Sequence, residues 1–217
     1  MLEFSPLCIG RLNMENKFKI IFSNIDSVHL DIMDETFVKN KAFTVDEVNN
    51  FTNSKPKHIH IMSKNLTPII NALNSTSDTI SFHYEATNYP ENIINLIRKK
   101  KIKPGIVINP ETDVSSIASL VSNVSRVILM AVTPGFSGQE FISSTLKKIN
   151  HIRKLSKNVE IVIDGGINDV TAAQVTSLGA NSCVVCSVIV KAKNTLEKIT
   201  SLKEICNRNY LTFCKKQ

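Results

Sequence analysis

Short apolar runs rich in Ile, Val and Phe recur along the chain at residues 4–9, 27–32, 58–62, 79–83, 104–109, 126–132, 159–164 and 182–188. Each has the length of a strand, and their weak alternation suits parallel strands covered on both faces. Between them lie segments at 14–22, 45–51, 66–74, 90–100, 114–122, 144–155, 169–179 and 195–206, whose apolar positions tend to fall three and four apart. Ile93, Ile94 and Ile97 show this, as do Leu146, Ile149 and Ile152, and such a stripe lets a helix cover a sheet with one face. Strand and helix patterns alternating every 22 to 34 residues, roughly, predict βα units and a parallel sheet. Eight units, with no glycine-rich dinucleotide turn after the first strand, favour an α/β fold closed as a (β/α)8 TIM barrel over an open sheet. One barrel domain is expected over residues 1–217, with residues 207–217 a loose or docking end.

Ionisable residues break several of these runs. His29 and Asp31 lie two apart in VHLDIMD and so share a face of their strand, His60 stands in HIHIM, and Asp164 closes IVID. Burying such groups costs several kcal/mol, roughly, unless a metal or partners compensate them. In a barrel of this kind the C-terminal strand ends build the active site, and His83 also closes its strand. Two imidazoles and two carboxylates without sulfur make a site suited to one divalent ion: zinc, iron(II), manganese or cobalt. Hydrogen-bonded core histidines within a buried polar network are the other reading. Two carboxylates flanking a carbon that a cation has made acidic can remove a proton from one face and return one to the other, inverting a stereocentre. An unperturbed aspartate, near pKa ~3.9, is a poor base at neutral pH, so burial is expected to raise both values. Glycine-bearing turns at 132–141 and 164–167, with Cys186 and Ser187, could aim backbone N–H groups at a phosphate.

Composition narrows the setting. Hydrophobic residues are 42% and charged residues 21% of the 217, and no apolar run approaches the roughly 20 residues that span a bilayer. The N-terminal segment carries an acid at Glu3 and no basic region before a long apolar stretch, so a secretory signal is not expected and a cytoplasmic location is. Cys8, Cys183, Cys186, Cys206 and Cys214 are odd in number and irregularly spaced, which predicts reduced thiols. Cys183 and Cys186 lie in a strand pattern, where residues three apart face opposite ways, and so are not read as a redox pair. The net charge is +7, and the densest basic run, Arg98 to Lys103, ends a helical pattern where cations complement the macrodipole. With no aromatic interleaving or zinc-finger spacing, nucleic acid is not an expected partner, whereas an anionic small substrate is.

These residues resemble the ribulose-phosphate 3-epimerase family through nearly the whole chain. The likeness runs in order through SPL at 5–7, VHLDIMDETFVKN at 28–40, HIM at 60–62, ISFHYEA at 80–86, KPGIVINPET at 103–112, MAVTPGFSGQEFI at 130–142, VIDGGI at 162–167, and GAN with CSVIV at 179–190. The resemblance implies a phosphate-binding barrel that interconverts ribulose 5-phosphate and xylulose 5-phosphate through an enediolate. It implies His29, Asp31, His60 and Asp164 as metal ligands, with Asp31 and Asp164 also the acid and base. Ser5 would contact the substrate or orient a catalytic carboxylate, and Met33, Met62 and Met130 would line the enediolate face. Gly135, Ser137, Gly138, Gly165, Gly166, Cys186 and Ser187 would form substrate loops. His83 would be a supporting residue and His58 a partner of the ligands, standing where the family often has aspartate. The chain departs from the family pattern at Glu35, Lys39, Ser137 and Cys186, all in substrate loops, so a ketohexose 6-phosphate such as allulose 6-phosphate, or a silent sugar-phosphate-binding paralogue, is the alternative. Family members commonly associate, which implies a homo-oligomer.

Overall fold

The computed structural model describes residues 1–9, 15–74 and 76–215. Eight parallel strands close in chain order: β1 (Leu2–Phe4), β2 (Ser27–Met33), β3 (Lys57–Met62), β4 (Thr79–His83), β5 (Lys103–Ile108), β6 (Arg126–Met130), β7 (Glu160–Asp164) and β8 (Ser182–Val185). The ring shuts where Glu3 stands opposite Val184 and Phe4 opposite Val185. Outside it lie α1 (Glu15–Asn24), α2 (Val45–Asn50), α3 (Leu66–Ala72), α4 (Pro90–Lys99), α5 (Thr145–Leu155), α6 (Asp169–Ser177), α7 (Ser187–Val190) and α8 (Thr195–Cys214). The (β/α)8 barrel expected from the pattern is the fold observed.

The first strand, the segment at 114–122 and the eighth strand differ from expectation, the last because residues 182–188 divide into β8 and, from Ser187, α7. The first strand covers Leu2–Phe4 rather than 4–9, because the chain turns into a 3₁₀ segment at Pro6–Ile9, where proline lacks the N–H a strand needs. The helix expected at 114–122 is two 3₁₀ turns, Val114–Ile117 and Val121–Asn123, whose serine-rich sequence favours local turns over a continuous helix. Of the two forms expected for the tail, loose or docking, it takes the second: it continues α8 to Cys214, with Asn181 Nδ2 donating to the Tyr210 hydroxyl at 2.8 Å and the Phe213 ring packed on Gly179. The basic run behaves as read: Arg98 and Lys99 end α4, and Arg98 and Lys100 donate to the carbonyls of Asn123 and Asn71.

The main apolar layer lies between barrel and helices and includes Phe4, Leu30, Ile59, Phe82, Ile106 and Leu129. Inside the barrel the two halves differ. Val107, Ile128, Met130, Val162 and Val184, from β5 to β8, form an apolar cluster, whereas β1 to β4 contribute the buried polar residues Glu3, His29, Asp31, His58, His60, Ser81 and His83. Parallel register places Asp31 opposite His60 and His29 opposite His58. The candidate chemistry collects inside the barrel, not in the helical shell, with Arg126 of β6 and Asp164 of β7 joining the polar residues of β1 to β4.

Candidate active site

Inward-facing positions of β2, β3 and β7 bring His29, Asp31, His60 and Asp164 together, one donor atom from each lying within 4.8 Å of every other. His29 Nε2 is 3.3 Å from His60 Nδ1 and 3.5 Å from both Asp31 Oδ1 and Asp164 Oδ2. His60 Nδ1 is 3.1 Å from Asp31 Oδ1 and 3.5 Å from Asp164 Oδ2. Tetrahedral donors bonded to a cation at about 2.1 Å stand about 3.4 Å apart, so the spacing suits a metal of that size. The two histidines and Asp31 are buried, and Asp164 is partly exposed towards the mouth.

Charge supports the same fit. Burial pushes His29 down, but the Asp31 charge and hydrogen bonds to Asp164, Asp31 and Glu3 outweigh it and hold its pKa well above the usual histidine value. Burial likewise lowers His60, and hydrogen bonds to Asp164 and Asp31 raise it overall. The pull of the carboxylates therefore favours positive charge at this centre, the sign a dication would supply. The aspartates move oppositely to expectation: burial raises Asp31 and Asp164, yet the adjoining histidines pull both below the ordinary carboxylate range. Burial is legible in the sequence, whereas the histidines that face each carboxylate are brought there by the fold.

Each ring is held from behind. Glu3 Oε2 lies 3.2 Å from His29 Nδ1, while His60 Nε2 lies 2.9 Å from His83 Nε2. His83 Nδ1 is 3.4 Å from Glu85 Oε2, and Glu85 in turn accepts from the Asn109 N–H at 2.8 Å and from the Thr112 hydroxyl. Burial, with the charge of His60, holds His83 down to about 4 against the pull of Glu85, so its ring is neutral at pH 7. The Asp31 carboxylate accepts a 2.6 Å hydrogen bond from the Ser5 hydroxyl, which orients it.

Above the cluster, a cavity of about 370 Å³ opens at the C-terminal strand ends. Ser5, Asp31, Met62, Met130 and Asp164 line its floor, and Gly135, Ser137, Gly138, Gly165, Gly166, Cys186 and Ser187 line its loops. Met33 is not in that lining; it packs with Val38 and Met62 beside the barrel mouth. His29 and His60 lie beneath the floor. Gly165 and Gly166 have φ of +103° and +65°, and a Cβ on Gly166 would stand 2.6 Å from Phe141 Cα, so this turn requires glycine. Glu35 is outside the cavity lining, and its charge meets Lys41 Nζ at 2.8 Å. Asn40 Nδ2 donates to the Gly135 carbonyl at 2.6 Å, tying the loop after β2 to the loop after β6.

The thiol expectation needs one correction. Cys183, Cys206 and Cys214 are free, but Cys186, in the cavity wall, is disulfide-bonded. Irregular spacing along a chain does not tell which residues folding brings together. The Cys8 side chain lies outside the described residues. Glu3, Glu85 and Arg126 also escaped assignment from sequence, although a charged residue inside or opening a buried strand is the signal that marks Glu3 and Arg126.

A closed barrel with a buried donor cluster under a mouth cavity defines a (β/α)8 enzyme whose centre could hold a metal ion. Residues 2–190 match the family described as the ribulose-phosphate 3 epimerase family. The chain is 33% identical over 214 residues to ribulose-phosphate 3-epimerase of Methanocaldococcus jannaschii, covering 94% of this chain and 90% of that one. It is 33% identical over 187 residues to ribulose-phosphate 3-epimerase of Bacillus subtilis, covering 82% and 86%. Among solved structures, 3-hexulose-6-phosphate synthase of Salmonella typhimurium shares the fold with a TM-score of 0.68 at 12% identity, covering 96% of this chain and 99% of that one. The chain belongs to the ribulose-phosphate 3-epimerase family and is an isomerase.

Proposed function

We propose that this chain interconverts D-ribulose 5-phosphate and D-xylulose 5-phosphate by two-aspartate proton transfer, with one divalent ion held by His29, Asp31, His60 and Asp164. The observation that carries the reading is that Asp31 and Asp164, from β2 and β7, both belong to the donor cluster and both line the cavity floor. A bound cation supplies a Lewis acid that polarises the ketose carbonyl and acidifies the neighbouring C3 proton. One aspartate then removes that proton from its face of the carbon, and the other returns a proton from the opposite face. Met62 and Met130 keep water from the planar enediolate between them. Ser5 holds Asp31 in position, and the turns at Gly135–Gly138, Gly165–Gly166 and Cys186–Ser187 offer backbone N–H groups to the phosphate.

Turnover of metal-reconstituted protein on ribulose 5-phosphate, with solvent deuterium exchange at C3, tests this. Asp31→Asn and Asp164→Asn should each lower kcat about 100- to 10,000-fold. Preference for allulose 6-phosphate would move the substrate to a ketohexose phosphate, and absence of exchange with either substrate in folded, metal-bound protein would favour a silent paralogue. A homo-oligomer and a cytoplasmic location belong to the same reading; light scattering and fractionation check them.

A further inference from the structure

At the opposite end of the barrel from the cavity, a carboxylate with no exposure sits among ionisable groups. Glu3 Oε1 lies 3.1 Å from Arg126 Nη1, and Glu3 Oε2 lies 3.3 Å from the same nitrogen, 2.9 Å from His58 Nδ1 and 3.2 Å from His29 Nδ1. Arg126, itself 2% exposed, spans the floor and donates through Nη2 to Glu160 Oε2 at 2.7 Å. A buried carboxylate costs several kcal/mol, roughly, unless it is paired, and Arg126 compensates it. That pairing alone does not explain why Glu3 also reaches His29.

We propose that Glu3, held by Arg126, is a positioning residue that fixes His29 as an Nε2 metal ligand. A carboxylate accepts only, so the proton on His29 must sit on Nδ1, facing Glu3 at 3.2 Å. Nε2 is then left with its lone pair directed at the cluster, 3.3 to 3.5 Å from the other donors. A carboxylate behind a ligating imidazole orients the ring and raises its basicity. Among the described residues the other histidine has no carboxylate in direct contact behind it, since His60 Nε2 faces the ring of His83. The two ligands therefore differ, and His29 is the one with a formal negative charge at its back. Arg126 pairs with that charge from the other side, its Nη1 3.1 Å from Glu3 Oε1.

The inference rests on the metal reading above, and the wild-type protein separates the two. Metal-free protein is titrated with Zn²⁺ against a chromophoric chelator and with Co²⁺ by visible absorption, and two-bond ¹⁵N–¹H spectra of the zinc form report the His29 tautomer. Wild type should bind Zn²⁺ with His29 protonated at Nδ1. Glu3→Leu/Arg126→Met, which removes both buried charges together, should fold and bind Zn²⁺ about 10- to 100-fold more weakly, with a changed Co²⁺ spectrum. Glu3→Gln, which keeps a carbonyl acceptor, should fall between. Unchanged Zn²⁺ affinity in the folded double variant would make Glu3 and Arg126 a structural ion pair only and overturn the proposal. So would a wild-type His29 protonated at Nε2, a result that needs no variant to fold. Wild-type protein that binds neither ion would instead sink the metal reading itself.

Discussion

Single residues carry unequal loads in this centre. Asp31 makes contact with two rings and with the Ser5 hydroxyl, so its carboxylate cannot rotate without losing a charge-assisted hydrogen bond at 2.6 Å. Ser5→Ala should lower kcat about 10-fold, with a smaller change in KM, because it frees an acid–base group and leaves the rest of the cavity intact. Steady-state assays of the two parameters check this, and a pure KM effect would assign Ser5 to substrate binding. Residue chemistry was the most legible part of the sequence. His29, Asp31, His60 and Asp164 betray themselves by interrupting apolar runs, and the barrel brings all four together. Glu3 and Arg126 are less conspicuous, because Glu3 precedes the apolar run at 4–9 and Arg126 opens β6, where a strand boundary explains a charge equally well. Their mutual contact spans 123 positions, and nothing local predicts it.

At the level of elements, β5 owes its sequence to its neighbours. Gly105 stands opposite Ser81 and Arg126 in the register, and a Cβ there would lie 2.2 Å from Ser81 Oγ and 2.8 Å from Arg126 Cγ. The missing side chain is the space through which Arg126 enters the barrel. Gly105→Ala should therefore cost about 1–3 kcal/mol by overpacking, read as a lower denaturant midpoint with unchanged slope. The α8 helix is fastened in a similar way. Tyr210→Phe removes the acceptor for Asn181 Nδ2 and should lower stability by about 1 kcal/mol, measurable as a drop in Tm. The periodicity of residues 195–206 announced α8, but its last two turns carry a mixed pattern that only the groove beside Gly179 makes helical.

For the whole molecule, the barrel must be shut as well as built. Asp26, in the turn before β2, accepts from the Leu2 N–H at 2.8 Å and from Lys203 Nζ of α8 at 2.6 Å, joining the first strand to the last helix. Burial pushes the Asp26 carboxyl up, and those two donors outweigh it and lower its pKa. Because the folded value lies below the unfolded value of about 3.9, the contribution is complete above that pH and fades as the pH falls through the folded value. Asp26→Asn should thus destabilise the protein by about 1 kcal/mol at pH 7, with partial exposure limiting the effect, and by progressively less below about pH 4. Urea unfolding of both proteins from pH 7 to pH 3 reads the difference; a constant gap across that range would show that Asp26 acts through packing rather than charge.

The sequence by itself determined the alternation of strand and helix, the closed parallel barrel, and the four ionisable residues at its centre. It could do so because hydrophobic periodicity is a local property and because charge inside an apolar run is conspicuous. Tertiary structure alone decided that β1 ends at Phe4, that Cys186 is oxidised, that both aspartates are lowered and not raised, and that Glu3 stands behind His29. Each of these depends on which distant residues share a few ångströms of dry space. Electrostatic and covalent partners act through that distance and not through their separation along the chain.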